Sequence, residues 1–211
     1  MPICIERRPG EKSSMLEVTL ENGYLVLNSE KANYSYGNLH TVFLRTFYRY
    51  ELGKRNISNA LILGFGAGSI NDILRDNYRM NIPVTGVEVD GEVIALYEQY
   101  FADELDTRTK ILHTDAKEYV AHCPERYSLI AIDLFIDLET PSGFSKKNFL
   151  HAAVSLLAPG GILFYNRIPS NETAEAEISE IKNILKVLPG RTTESRLELG
   201  TMTNIMIVYE N

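Results

Sequence analysis

Behind a glycine loop, Gly64-Phe65-Gly66-Ala67-Gly68, stand three carboxylates, Glu88, Asp115 and Asp133. The loop follows the apolar run Ala60-Leu61-Ile62-Leu63 and leads into a helical pattern. Alternate glycines at such a junction let main chain approach a ligand where a Cβ would collide, and the helix beyond aims free N–H groups at the same spot. Glu88 closes the next apolar strand in Gly86-Val87-Glu88-Val89-Asp90. A carboxylate there accepts hydrogen bonds from both ribose hydroxyls of a nucleoside; its plainer role is to cap a helix. Asp115-Ala116 follows a third strand, where the acid either caps a helix or takes the exocyclic amine of an adenine. Asp133 ends the apolar run Tyr127–Ile132, on the edge where doubly wound sheets hold ligands. Asp133 and Asp137 flank the start of a loop, 134–145, that contains Pro141 and Gly143 and is either a lid or an exposed connection.

Cys4 and Cys123 are far apart and lack ligand spacing, and no metal site is expected. A nicotinamide-binding domain would also use Gly64 and Glu88, but its third glycine comes one position later than Gly68. With net charge −7 and pI near 5.2, nucleic acid is not expected as a partner. No apolar run has the length of a membrane helix or the form of a signal peptide, so a cytoplasmic protein with free thiols and no membrane partner is expected. His113, at a strand end, reads as a satisfied core histidine, and Arg45 and Arg49 as a solvated helix face.

Short apolar runs and amphipathic stretches alternate, which predicts a parallel sheet with crossover helices. Strands are expected at 59–64, 83–89, 108–112, 127–133 and 161–166, and helices at 38–50, 68–79, 91–101, 114–122, 146–157 and 172–187. Two further runs, 192–199 and 202–209, joined by Gly200-Thr201, should pair antiparallel. Before all of these, 15–27 alternates around Asn22-Gly23, a strong signal for a two-stranded hairpin. The expected organisation is a hairpin appendage over 1–37 and a nucleoside-binding domain over 38–211.

The run 61–69, Gly86-Val87-Glu88-Val89-Asp90, Tyr100-Phe101, His113-Thr114-Asp115-Ala116, the strand ending at Asp133 and Leu157-Ala158-Pro159-Gly160-Gly161 through Asn166 together resemble the class I S-adenosylmethionine-dependent methyltransferase fold. Within it they are most similar to the spermidine synthase (polyamine aminopropyltransferase) branch, over roughly residues 15–166. The resemblance implies a Rossmann-like α/β fold with a mostly parallel seven-stranded sheet in the order 3-2-1-4-5-7-6, helices on both faces, and a homodimer formed through the N-terminal part. It implies S-adenosylmethionine or its decarboxylated form as donor. Gly64, Gly66, Ala67 and Gly68 would lie along the methionine-like tail, Glu88 and Val89 at the ribose, and Asp115 and Ala116 at the adenine. Asp133 would take a proton from the attacking amine, with Asp137 or His40 assisting, and Tyr36, His40 and Leu134 would line the acceptor side.

Three departures shape the expected function. The branch usually carries an aspartate in the loop, balancing the amine of decarboxylated donor, where this chain has Ala67. After Asp133 come Leu134-Phe135-Ile136-Asp137 in place of a polar lid sequence. The acidic segment before the first core helix is replaced by Ser35-Tyr36-Gly37-Asn38-Leu39-His40-Thr41, which leaves few counter-charges for a polyamine. Tyr34, Tyr36, Asn38 and His40 either line an acceptor pocket or pack against a partner subunit. The expected activity is methyl transfer to a small-molecule acceptor. Aminopropyl transfer is the first alternative and a non-catalytic nucleoside-binding module the second.

Overall fold

A computed structural model describes residues 2–29, 38–103, 106–136, 139–200 and 202–211. The chain opens with three antiparallel strands, β1 (Ile3–Arg8), β2 (Leu16–Glu21) and β3 (Tyr24–Ser29), in that spatial order. Asn22 and Gly23, both at positive φ, make the expected turn between β2 and β3. The hairpin therefore gains a third strand that the sequence did not announce. β1 lies at the sheet's edge with Ile3 and Ile5 exposed, and its register slips between Cys4 and Glu6, so no clean alternation marks it.

Helix α1 (Asn38–Arg49) leads into β4 (Ala60–Leu63). There follow α2 (Ser69–Asp72), β5 (Val84–Glu88), α3 (Gly91–Tyr100), β6 (Thr109–His113), α4 (Ala116–His122), β7 (Tyr127–Ile132), α5 (Lys147–Ser155), β8 (Leu157–Arg167), α6 (Glu172–Lys186), β9 (Arg191–Leu199) and β10 (Met202–Glu210). The large sheet runs β6-β5-β4-β7-β8-β10-β9. Counted from β4, this is the expected 3-2-1-4-5-7-6, with β10 antiparallel to both its neighbours.

Burial on both faces explains why β4, β7 and β8 read as unbroken apolar runs. Leu61, Leu63, Ile130, Ile132, Leu163 and Tyr165 face α4, α5 and α6. Ala60, Ile62, Leu129, Ala131, Ile162 and Phe164 face α1, α2 and α3, where Phe43 and Phe47 are fully buried. The N-terminal sheet closes a smaller apolar cluster in which Leu16, Val18 and Leu27 meet Ala67, Val93 and Leu96.

Two elements differ from their sequence reading. The helix expected over 68–79 is one turn of α-helix followed by a π-helical turn, Ile73–Asn77, closed by the Tyr78 N–H on the Ile73 carbonyl. The break at Ala158-Pro159-Gly160-Gly161 lies inside β8, not before it. Leu157 pairs with Tyr127 and Ile162 with Leu129, so the intervening residues bulge out, with Gly160 at φ +72°.

Candidate active site

The parallel strands β4, β5, β6 and β7 end together, and the turns beyond them bring the sequence-predicted acids to one edge. Gly64 sits where β4 meets β7. A Cβ there would stand 2.2 Å from the Asp133 carbonyl oxygen, at a φ of +82° that disfavours any side chain. The Asp133 N–H donates to the Leu63 carbonyl (2.8 Å), and the Gly64 N–H to the Val87 carbonyl (2.9 Å). Close approach of these strand ends thus fixes the base of the loop and the start of Asp133 together.

Phe65 anchors the loop's other side. Its ring, nearly buried and edge-on to Tyr97 at 4.9 Å, fills the space above Gly86, where a Cβ would come within 2.3 Å of Cδ2. Gly86→Ala is expected to expel Phe65 and destabilise the fold by about 1–3 kcal/mol. Chemical denaturation checks this, and an unchanged unfolding midpoint would show that Phe65 does not hold the loop.

Glu88, only 8 % exposed, is held by three backbone donors. Its Oε2 accepts from the Gly66 N–H (2.9 Å), and its Oε1 from the N–H groups of Val89 (2.9 Å) and Asp90 (3.2 Å). Burial, joined by repulsion from Asp90, raises its pKa above 4.5 against these donors. A carboxylate has about four lone-pair positions, and these three backbone donors occupy most of them. The carboxylate therefore braces the glycine loop, a role its sequence position does not reveal.

Asp90 caps α3, accepting from Glu92 N–H (3.0 Å), and its other oxygen takes the Lys12 N–H (2.9 Å). The segment between β1 and β2 is thereby clasped to the end of β5. Arg8 strengthens the junction by pairing with Glu92 at 3.0 Å. Beside it, His113 corrects the expectation of a core histidine. Its side chain is 53 % exposed, lies 3.5 Å from the Glu11 carboxylate and has Nε2 3.2 Å from the Val89 carbonyl oxygen. As the last residue of β6, it extends past the sheet into solvent.

Asp115 caps α4 through the Lys117 N–H (2.7 Å), which is the plainer of its two expected roles, and Ala116 is buried. Val89, next to Glu88 in the chain, stays partly exposed. Ala67 is 2 % exposed inside the apolar cluster beneath the N-terminal sheet. Its methyl carries no charge, while the N–H of the preceding Gly66 is held by the Glu88 carboxylate.

Asp133 lies on the partly buried edge beyond β7. Burial pushes its pKa up to about 7, and the negative charge of Glu88 adds to the rise. The Asn166 amide opposes both by donating to Oδ1 at 2.9 Å. Asn166, 1 % exposed at the end of β8, in turn accepts from Asn204 Nδ2 at 3.0 Å. Sequence reasoning gave neither asparagine a role. Asn166 closes the Leu157–Asn166 motif, but nothing local marks Asn204.

Leu134, partly buried, packs on the core formed with α4, α5 and α6 and brings its Cδ2 beside Gly64 of the glycine loop. His40, on α1, has its pKa lowered by burial, with Asp76 of the π-helical turn as the opposing charge. Tyr36 and Asp137, also expected in the site, lie outside the described residues. Among the described residues no cluster of His, Cys, Asp and Glu could hold a metal ion, and no helix is long and apolar enough to cross a membrane.

A match to the spermine/spermidine synthase domain covers residues 51–210, and the chain belongs to that family. It is 32 % identical over 112 residues to a probable polyamine aminopropyl transferase of Bifidobacterium longum, covering 53 % of this chain and 24 % of that one. It is 29 % identical over 140 residues to a polyamine aminopropyltransferase of Thermoplasma volcanium, covering 64 % and 48 %. An eEF1A lysine and N-terminal methyltransferase homolog of Drosophila pseudoobscura pseudoobscura is 25 % identical over 140 residues, covering 62 % and 20 %. The chain thus spans half or less of the length of these curated relatives. The crystal structure of a probable spermidine synthase from Corynebacterium glutamicum superposes with a TM-score of 0.79 at 20 % identity, over 100 % of this chain and 81 % of that one, and shares the fold.

Proposed function

We propose that this protein transfers an alkyl group from an adenosyl sulfonium donor to a small amine acceptor. The observation that carries the reading is Asp133. It is a carboxylate with a pKa near neutrality, set on the same strand edge as the Glu88-braced glycine loop. The donor supplies an electrophilic carbon on a cationic sulfur. The acceptor nitrogen forms the new bond to that carbon as the carbon–sulfur bond breaks, and the electron pair stays on sulfur as a neutral thioether. The displaced cationic charge ends on the acceptor nitrogen, whose proton Asp133 takes. Little else is asked of the protein beyond holding the two reactants in line, for which Glu88, Val89 and Ala116 grip the nucleoside end.

Methyl transfer from intact S-adenosylmethionine is the first reading of the donor. Ala67 supports it, because an apolar cluster at that position gives no counter-charge to the amine of a decarboxylated tail, whereas the intact tail carries its own carboxylate. Aminopropyl transfer is the second reading, and membership of the spermine/spermidine synthase domain family favours it. Incubating the protein with each donor and a panel of amines tests both. Release of S-adenosylhomocysteine marks methyl transfer, and release of methylthioadenosine marks aminopropyl transfer. Binding without release of either across the panel would leave a nucleoside-binding module.

A further inference from the structure

Asn204 on β10, Asn166 on β8 and Asp133 directly after β7 stand at three adjacent strands and form one directed chain of hydrogen bonds. The register places Met206 opposite Asn166, so Asn204, two residues earlier, shares the face on which Asn166 meets Asp133. Both asparagines are almost fully buried. An amide has one accepting and one donating end, while an ionised carboxylate only accepts. Asn166 must therefore turn Nδ2 toward Asp133 and Oδ1 away from it, and a buried Oδ1 needs a donor of its own. Asn204 Nδ2 is that donor.

We propose that Asn204 is a positioning residue for Asp133: it pins the Asn166 amide with Nδ2 toward the carboxylate, and so sets the carboxylate's proton affinity and leaves Oδ2 as the oxygen that takes a proton. The functional meaning of that proton rests on the transferase reading above; the positioning itself does not. Without Asn204, the Asn166 amide gains nothing by keeping its orientation. Turned over, it would present Oδ1 to Asp133 and favour the protonated acid. The charge that faces Asp133 from the neighbouring elements is Glu88 on β5; from β8 come Asn166 and, on the far side of the strand, Tyr165. Beyond Tyr165 the buried Arg167 guanidinium is paired with Glu177 at 2.6 Å.

The test follows the Asp133 carboxyl by carbon NMR in the whole protein, assigned by its absence in Asp133→Asn. Asn204→Leu is expected to raise the Asp133 titration midpoint by roughly half a pH unit or more, because a hydrogen bond to the charged form is lost. In an Asn166→Leu background, which has already lost that bond, the same replacement is expected to move the midpoint no further. An unmoved midpoint, or an equal shift in both backgrounds, overturns the proposal. Should Asn204→Leu fail to fold, the wild-type protein still decides: the side-chain amide signals of Asn166 and Asn204 should titrate with Asp133's midpoint, and an Asn204 amide indifferent to it overturns the relay. None of these readouts needs donor, acceptor or turnover. Failure of the transferase reading would instead appear as absent product with the titrations intact.

Discussion

Glu88→Gln is expected to weaken binding of an adenosine ligand by tenfold or more, about 1.4 kcal/mol. The glutamine keeps the shape but offers only one accepting atom where the carboxylate offers two. Either Gly66 or the Val89–Asp90 pair then meets an amide that donates, and a backbone N–H in a buried position loses its partner. Hydrogen bonds to charged groups contribute about 1.5–3 kcal/mol, so the loop loosens and the ligand's hydroxyl loses its acceptor together. Acidification should act in the same direction. Burial raises the Glu88 pKa above its ordinary 4.5, so the proton arrives at a higher pH than for an exposed glutamate, and binding falls as it does. Calorimetry on the wild type and the variant checks this; equal affinities would remove Glu88 from the ribose site.

Asp133→Asn is expected to reduce turnover by about 10²- to 10⁴-fold while leaving donor affinity within about threefold. The isosteric amide still accepts from Asn166 but cannot take a proton from the acceptor. Because the wild-type carboxyl titrates at about 7, turnover should climb through neutrality as Asp133 ionises and level off above it. The variant's residual rate should lack that limb. Stability moves the other way. The folded acid holds its proton up to about pH 7, whereas the unfolded one releases it near 3.8, so its contribution to folding declines as pH rises through that window. Asp133→Asn should therefore gain in Tm over the wild type at pH 8 relative to pH 5. Identical pH–rate profiles for the two proteins would exclude Asp133 as the base.

The sheet was legible because its strands obey two strong rules. β4, β7 and β8 are buried on both faces and so read as continuous apolar runs, and the β10–β9 pair is marked by a glycine turn between two strand-like runs. The places of Glu88 and Asp133 in the fold were legible for the same reason, as acids that close apolar runs at the carboxyl ends of parallel strands. Features that depend on pairing across the chain were not. β1 is an exposed edge strand with a slipped register, and Lys12 reaches Asp90 from an irregular segment. The π-helical turn leaves the apolar spacing of Ile70, Ile73 and Leu74 unchanged, so an ordinary helix was expected. Asn204 is one polar residue in a strand, and its value comes only from the neighbour that β8 provides. His113 was misread because its place at the end of β6 decides its exposure, and strand ends are the least certain part of a sequence reading.

The reading of the site rests on an adenosine bearing a sulfur substituent occupying the edge formed by β4, β5, β6 and β7. A calorimetric comparison of S-adenosylmethionine, its decarboxylated form, S-adenosylhomocysteine and methylthioadenosine tests that most directly. Saturable binding of the sulfur nucleosides, with intact donor ahead of decarboxylated donor and all of them weakened by Glu88→Gln, is the expected result. Absence of binding by all four, or binding indifferent to Glu88, would contradict it.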